Sequence, residues 1–173
     1  MHAGRVPQLR VAPTLRAIEI DDLSNVRYVH SSAFKLMAAL HYTSDEIDAF
    51  VEQIRSPAYV DQLLGTHALG AWVDAEMAGT AAWSPANDSG QTARISDVFV
   101  QPLFGGLGLG TMLLREVEEQ AVHAGYRETS VRVSLNAVPF FMAQGYLVTS
   151  HGVRSTPAGI DLQVAFMRRS ALQ

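Results

Sequence analysis

The sequence predicts an α+β fold: a mixed sheet of about seven strands flanked by helices, in the order β-α-α-β-β-β-α-β-α-β-β. Three observations predict it. Apolar residues between Val26 and Ile54 recur at helical spacing. From His67 the period changes to short apolar runs separated by turn residues. Four glycines between Gly105 and Gly110 then hand a strand over to an amphipathic helix.

Each element follows from local chemistry. Residues 15–20 are apolar-rich and read as the first strand, after a loose tail over residues 1–14. Asp21, Asp22 and Ser24 offer N-caps for a helix to about Leu40. On it Val26, Val29, Ala33, Met37 and Leu40 approximate one face. Thr43 and Glu46 have capping-box spacing, and Ile47, Phe50, Val51 and Ile54 follow at helical intervals. Ser56 and Pro57 read as N-cap and first residue of a short helix over residues 58–64. Residues 67–73, 78–83 and 92–100 read as three successive strands, with a hairpin at 74–77 and a polar loop at 84–90. Leu109, Met112, Leu113, Val117 and Ala121 predict an amphipathic helix that Gly125 ends. Residues 128–135 form a strand and 137–144 a short helix closed by Gly145. Strands near 146–153 and 160–167 finish the chain. No repeat or linker divides residues 15–170, which read as one domain.

Composition narrows the function. The chain has 173 residues, 48 % apolar and 17 % charged, a globular balance. Its net charge of −4 gives nucleic acid no attraction and leans toward a cationic small partner. The absence of cysteine excludes disulfides, cysteine zinc sites and a thiol nucleophile. The six histidines lack metal-ligand spacing, so no metal is expected. Residues 1–14 have no secretory signal pattern, and no apolar run approaches the ~18 residues of a membrane span. The expectation is a cytoplasmic protein with no membrane partner.

The glycine run is the main functional signal. The first N–H groups of a helix have no intrahelical partner, and the helix dipole adds positive character there. A strand passing through glycines into a helix therefore makes an anion site suited to phosphate. The Walker pattern fails because Thr111 and Met112 follow Gly110 where Lys and Ser/Thr are needed. The dinucleotide fingerprint fails because Thr111 stands in place of its last glycine.

Val100, Pro102, Gly106, Gly108, Leu109, Gly110, Leu113 and Leu114 instead fit motif A of the GCN5-related N-acetyltransferase (GNAT) superfamily, which this chain resembles. Ala137, Phe140, Gly145 and Tyr146 fit its motif B by spacing. The resemblance implies a mostly antiparallel sheet and acetyl-CoA as co-substrate. It implies that Gly105, Gly106, Leu107, Gly108, Leu109, Gly110 and Thr111 cradle the pyrophosphate. It also implies that the fourth strand splays from the fifth, so that Val98, Phe99 and Val100 border the pantetheine arm. Asn136, Phe140 and Phe141 complete the coenzyme set.

This chain departs from the family pattern at four positions. Gly105 replaces an Arg or Gln, and Leu107 replaces a frequently basic residue. Phe141 stands where a tyrosine general acid is common, and Arg94 where a glutamate base is common. Acetyl transfer needs an amine free of its proton, which for a lysine-like amine at pH 7 costs about 4.6 kcal/mol. Asp97 and Asn136 are the candidate catalytic residues. Asp97 reads as a base, as a solvent-facing residue or as an arginine's partner; Asn136 as a coenzyme or water ligand, or as a turn former. Phe141 reads as core or as pantetheine wall. His30, His41 and Tyr42 lie in the region that covers the acceptor pocket in relatives, and packing is the simpler account of them.

The leading expectation is direct acetyl transfer to a primary amine, on a small molecule or a peptide, in a ternary complex. A CoA-binding module without catalysis and a nucleotide-phosphate protein are the rivals. Dimers are common in the family, so a homodimer is also expected.

Overall fold

A computed structural model describes residues 12–87 and 90–170. Residues 1–11 of the tail expected over 1–14 lie outside the described residues, and Thr14, the last residue of that span, already belongs to the first strand. The elements are β1 (Thr14–Ala17), α1 (Leu23–Met37), α2 (Ser44–Arg55), α3 (Pro57–Leu64), β2 (His67–Val73), β3 (Glu76–Pro85), β4 (Thr92–Val100), α4 (Leu109–His123), β5 (Glu128–Ser134), α5 (Val138–Ala143), β6 (Leu147–Ser155) and β7 (Asp161–Arg169). Single 3-10 turns cover Ile20–Asp22, Pro102–Phe104 and Leu135–Ala137. No helix among the described residues is long and apolar enough to cross a membrane.

Local signals explain most boundaries. The Thr43 hydroxyl accepts from the Glu46 N–H, and the Glu46 carboxylate accepts from the Thr43 N–H, so the capping box forms. Ser56 caps α3, with Pro57 at its first position. Strand β3 runs two residues beyond the expected 78–83 at each end, into the expected hairpin and polar loop, and two further ends differ for a reason the contacts show. The first strand stops at Ala17, because the Asp22 carboxylate takes both Arg16 nitrogens, at 2.8 and 3.0 Å, and the Glu19 N–H. Those bonds pull Ile20–Asp22 into a turn. Asp22 therefore starts α1 without capping it through its side chain. Helix α1 ends at Met37, and Met37 and Leu40 are exposed rather than buried. The chain leaves the helix there to send Tyr42 across to β7, where its hydroxyl donates to the Gln163 carbonyl and accepts from the Leu135 N–H.

The seven strands form one sheet in the order β1-β2-β3-β4-β5-β7-β6. Only β4 and β5 run parallel; the other neighbours are antiparallel. Leu109, Leu113, Leu114 and Val117 of α4 pack with Ile95, Val131, Phe141 and Tyr146 in one core. Val26 and Val29 of α1 pack with Ala68, Trp72 and Ala82, while Phe34, Phe50, Tyr59 and Leu162 close a third cluster. Trp72 and Trp83 are both core residues, as expected from their strands.

Gly79 of β3 sets how closely these layers approach. A Cβ there would lie 2.8 Å from the Phe99 carbonyl oxygen and 2.9 Å from Leu113 Cδ1. Gly79→Ala is therefore expected to lower stability by about 1–3 kcal/mol through overpacking, read as a lower urea midpoint with an unchanged slope.

Candidate active site

The site begins where the sheet comes apart. Strands β4 and β5 pair over only four positions, from Thr92↔Glu128 to Ile95↔Val131. Beyond Ile95, β4 continues beside β3 alone. Its register with β3 slips there, Ala82 facing Ser96 and Thr80 facing Phe99, so a bulge forms at Asp97 and Val98. Asp97 takes φ +56°, a left-handed conformation that aspartate tolerates better than a β-branched residue. The Thr80 hydroxyl holds the bend by donating to the Asp97 carbonyl at 2.6 Å.

The gap opens into a cleft of about 470 Å³ whose walls include Asp97, Val98, Phe99, Asn136 and Phe141. Asn136 sits in the turn after β5, and its Oδ1 is buried without a hydrogen-bond partner. Phe141 is 3 % exposed and packs edge-on to Phe140 and Tyr146, so it serves core and cleft together.

Behind Asp97 lies a buried polar chain. The His30 ring stacks on Phe99 with centroids 4.2 Å apart. Its Nδ1 is 2.7 Å from the Tyr59 hydroxyl and its Nε2 is 2.7 Å from Thr80 Oγ1. Burial lowers the His30 pKa from 6.5 to about 4, outweighing the attraction of Asp97, so the ring is neutral at pH 7. The Thr80 proton is committed to the Asp97 carbonyl. Nε2 therefore carries the ring proton and Nδ1 accepts from Tyr59. Burial, reinforced by the Asp97 charge, raises the Tyr59 pKa well above its ordinary value. The Asp97 carboxylate faces that hydroxyl at 3.5 Å.

At the C-terminal end of β4 the glycines do what the sequence requires of them. Gly106 and Gly108 have φ +74° and +80°, and a Cβ at either would meet nothing within 4 Å. Backbone conformation, not crowding, demands glycine there. Gly108 is the N-cap of α4 and supplies no side-chain cap. None of the six N–H groups from Gly106 to Thr111 has an acceptor among the described residues. Gly105 differs from the expectation: its φ is −65° and its N–H donates to the Pro102 carbonyl, closing the 3-10 turn, so its amide is already used. Leu109 points into the core at 1 % exposure, leaving only its main chain for a ligand. Thr111 Oγ1 accepts from Gln144. Gly110 lies against Phe140, 3.3 Å from where its Cβ would be, and against Val100.

Arg94 lines the cleft with Arg132 and Arg154. Arg154 also sits over the Phe50 ring at 4.5 Å. Partial burial lowers the Arg132 pKa, and the charges of Arg154 and Arg94 lower it further. Tyr59, Thr80, Arg132 and Arg154 escape the sequence reading, because no spacing links residues on α3, β3, β5 and β6. His41 is exposed and Tyr42 is tied to the main chain, whereas His30 belongs to the polar chain. No group of three or more His, Asp or Glu side chains among the described residues is placed to hold a metal.

A family model for the acetyltransferase (GNAT) domain matches residues 38–163. No curated protein matches the sequence. Among solved structures, a GCN5-related N-acetyltransferase from Rhodopseudomonas palustris superposes with a TM-score of 0.83 at 22 % identity, covering 95 % of this chain and 99 % of that one. PaiA N-acetyltransferase from Thermoplasma acidophilum, in complex with coenzyme A, gives 0.71 at 19 % identity, covering 92 % and 99 %. YncA from Salmonella typhimurium, with acetyl-CoA, gives 0.61 at 21 % identity, covering 94 % and 96 %. These likenesses establish the fold.

Proposed function

The chain belongs to the GNAT acetyltransferase family and is thereby an acyltransferase, and from that premise we propose that it moves an acetyl group from acetyl-CoA to a primary amine by direct transfer. The observation that carries the proposal is the run of unpartnered amides from Gly106 to Thr111 beside the opening between β4 and β5. Those amides fit an anionic diphosphate, and they lie at the N-terminus of a helix where its dipole adds to them. The coenzyme complexes of PaiA and YncA support the same reading.

In this reading the amides of Gly106, Leu107, Gly108, Leu109, Gly110 and Thr111 hold the diphosphate. Main-chain groups of Val98 and Val100 hold the arm, with Phe99, Phe140 and Phe141 as apolar walls. Acetyl-CoA supplies the acetyl group as a thioester. Asp97, at the bulge, takes the proton that the acceptor ammonium must lose. Arg94 and Arg132 bordering the cleft lower the amine's pKa by like-charge repulsion, reducing the cost of that step. Phe141 has no proton to give, so the departing sulfur takes one from water or stays ionised; a thiol near pKa 8.5 makes that step tolerable. Asn136 Oδ1 offers an acceptor for the amine N–H or for a bound water. No residue carries the acetyl group covalently.

The direct test mixes protein, acetyl-CoA and an amine panel and follows free thiol. Turnover is expected. Asp97→Asn is expected to lower kcat/KM by about 100-fold, as for loss of a general base, with the Kd of acetyl-CoA within about twofold of wild type. An unaffected rate removes Asp97 from the mechanism. Tight binding of acetyl-CoA without turnover of any amine supports a binding module instead, a reading that Phe141 and Arg94 at the usual acid and base positions favour.

A further inference from the structure

The cleft has a charge pattern that the net charge of the chain conceals. Residues facing each other across paired strands share a face of the sheet. Arg94 faces Ser130, Phe166 faces Arg132, Val164 faces Ser134, and Leu162 faces Arg154. Arg94, Arg132 and Arg154 therefore share one face, the one that carries α1–α3 in the other half of the sheet. No carboxylate among the described residues lies within ion-pair distance of any of the three. Arg168, also on the cleft wall, is already paired with Glu128 at 3.4 Å. Asp97 is the only acid on the cleft wall among the described residues.

Guanidiniums gathered on one face of the sheet without counter-charge repel one another, and a ligand anion relieves that repulsion through charge-assisted, bidentate hydrogen bonds. The pattern is thus a dipole: one carboxylate at the bulge, three unneutralised cations along the floor. A simple cationic amine, toward which the net charge leans, would meet more repulsion than attraction. An amine that also bears an anion satisfies both ends.

We propose that the acceptor is a small zwitterionic amine of amino-acid type, its amino group directed to Asp97 and its carboxylate, or a phosphonate in its place, held by Arg94, Arg132 and Arg154. The inference deepens the acetyltransferase reading and rests on it. A cleft of about 470 Å³ suits a small molecule. A peptide N-terminus lacks the neighbouring carboxylate, so the proposal separates free amino acids from peptides.

The test uses matched acceptors: free amino acids and aminophosphonates, each with its amide and its decarboxylated amine, assayed by thiol release. The anion-bearing member is expected to win by about 10- to 100-fold in kcat/KM, the worth of one charge-assisted hydrogen bond. Arg132→Gln and Arg94→Gln are expected to raise its KM and to erase the preference between the matched acceptors. Arg132→Lys is expected to keep part of it, a graded response that a structural role would not give. Equal or higher values for the amides and amines overturn the inference. If no acceptor turns over, calorimetric titration of the same pairs decides: a preference for the anion-bearing member supports it, and none overturns it. Acetyl-CoA binding, measured separately by calorimetry, reports on the coenzyme reading, so the two fail independently.

Discussion

Replacing Gly106 and Gly108 together by valine is expected to raise the Kd for acetyl-CoA by at least about 100-fold in a protein that still folds. Both glycines hold φ near +75 to +80°. A β-branched residue there is strained by about 1–2 kcal/mol, so the loop relaxes toward negative φ and its amides turn away from their common target. Each amide lost from an anion is worth about 1.5–3 kcal/mol, and losing two reaches the stated factor. The fold survives because a Cβ at either position meets nothing within 4 Å. Gly125 is the control. It has φ +100° and lies past the far end of the same helix, so Gly125→Val carries similar strain without touching the loop. Its melting temperature is expected to fall while coenzyme affinity stays put. Calorimetry on all three proteins gives the answer, and equal affinities would remove the diphosphate from this turn.

The second large effect is a pH dependence of stability centred on His30. The unfolded chain takes up a proton on this ring near pH 6.5 and the folded chain only near 4. Between those values the unfolded state binds more protons, so stability falls on acidification and returns as pH rises. The interval is worth about 3 kcal/mol. Protonation also breaks the local logic: Nδ1 becomes a donor, and the Tyr59 hydroxyl must swing from the ring toward Asp97. Other groups are separable. The Arg16 contact lowers the Asp22 pKa below 3.8, and its contribution vanishes only below that pH. Burial raises the Glu118 pKa above 4.5, so its slope has the opposite sign. Urea unfolding of wild type and His30→Gln between pH 4 and 7.5 isolates the histidine. The variant is expected to lose the one-proton slope, and parallel curves would show that His30 does not stay neutral in the fold.

Much of this molecule is legible in its residues, for local reasons. The β2 and β4 boundaries follow from apolar runs and turn chemistry, and the Thr43–Glu46 box and Ser56-Pro57 start their helices where the sequence places them. The glycine turn is legible because its demands are on φ, which only glycine meets at low cost. What escapes is what depends on distant partners. The early ends of β1 and α1 come from Asp22 reaching Arg16 and from Tyr42 reaching β7. Asp97 is visible as a candidate, but its left-handed bulge depends on how β4 sits against β3. His30 is indistinguishable in sequence from a surface histidine until Tyr59 and Thr80 close around it. The arginine floor is the clearest case: Arg94, Arg132 and Arg154 come from three strands, and overall charge points the other way.

The brevity of the β4–β5 ladder has a consequence for how such a protein can be altered. Four rungs join two plates along a short seam. One plate, β1–β4 with α4, owns the amide-rich turn; the other, β5–β7, owns Arg132 and Arg154. Cleft-facing positions on the second plate, such as Ser130, Arg132, Ser134 and Phe166, can be rebuilt to admit a different guest without moving the turn. In the proposed reading the diphosphate grip lies on the first plate, and the share of the acceptor's surroundings that the second plate contributes can be varied while that grip is inherited.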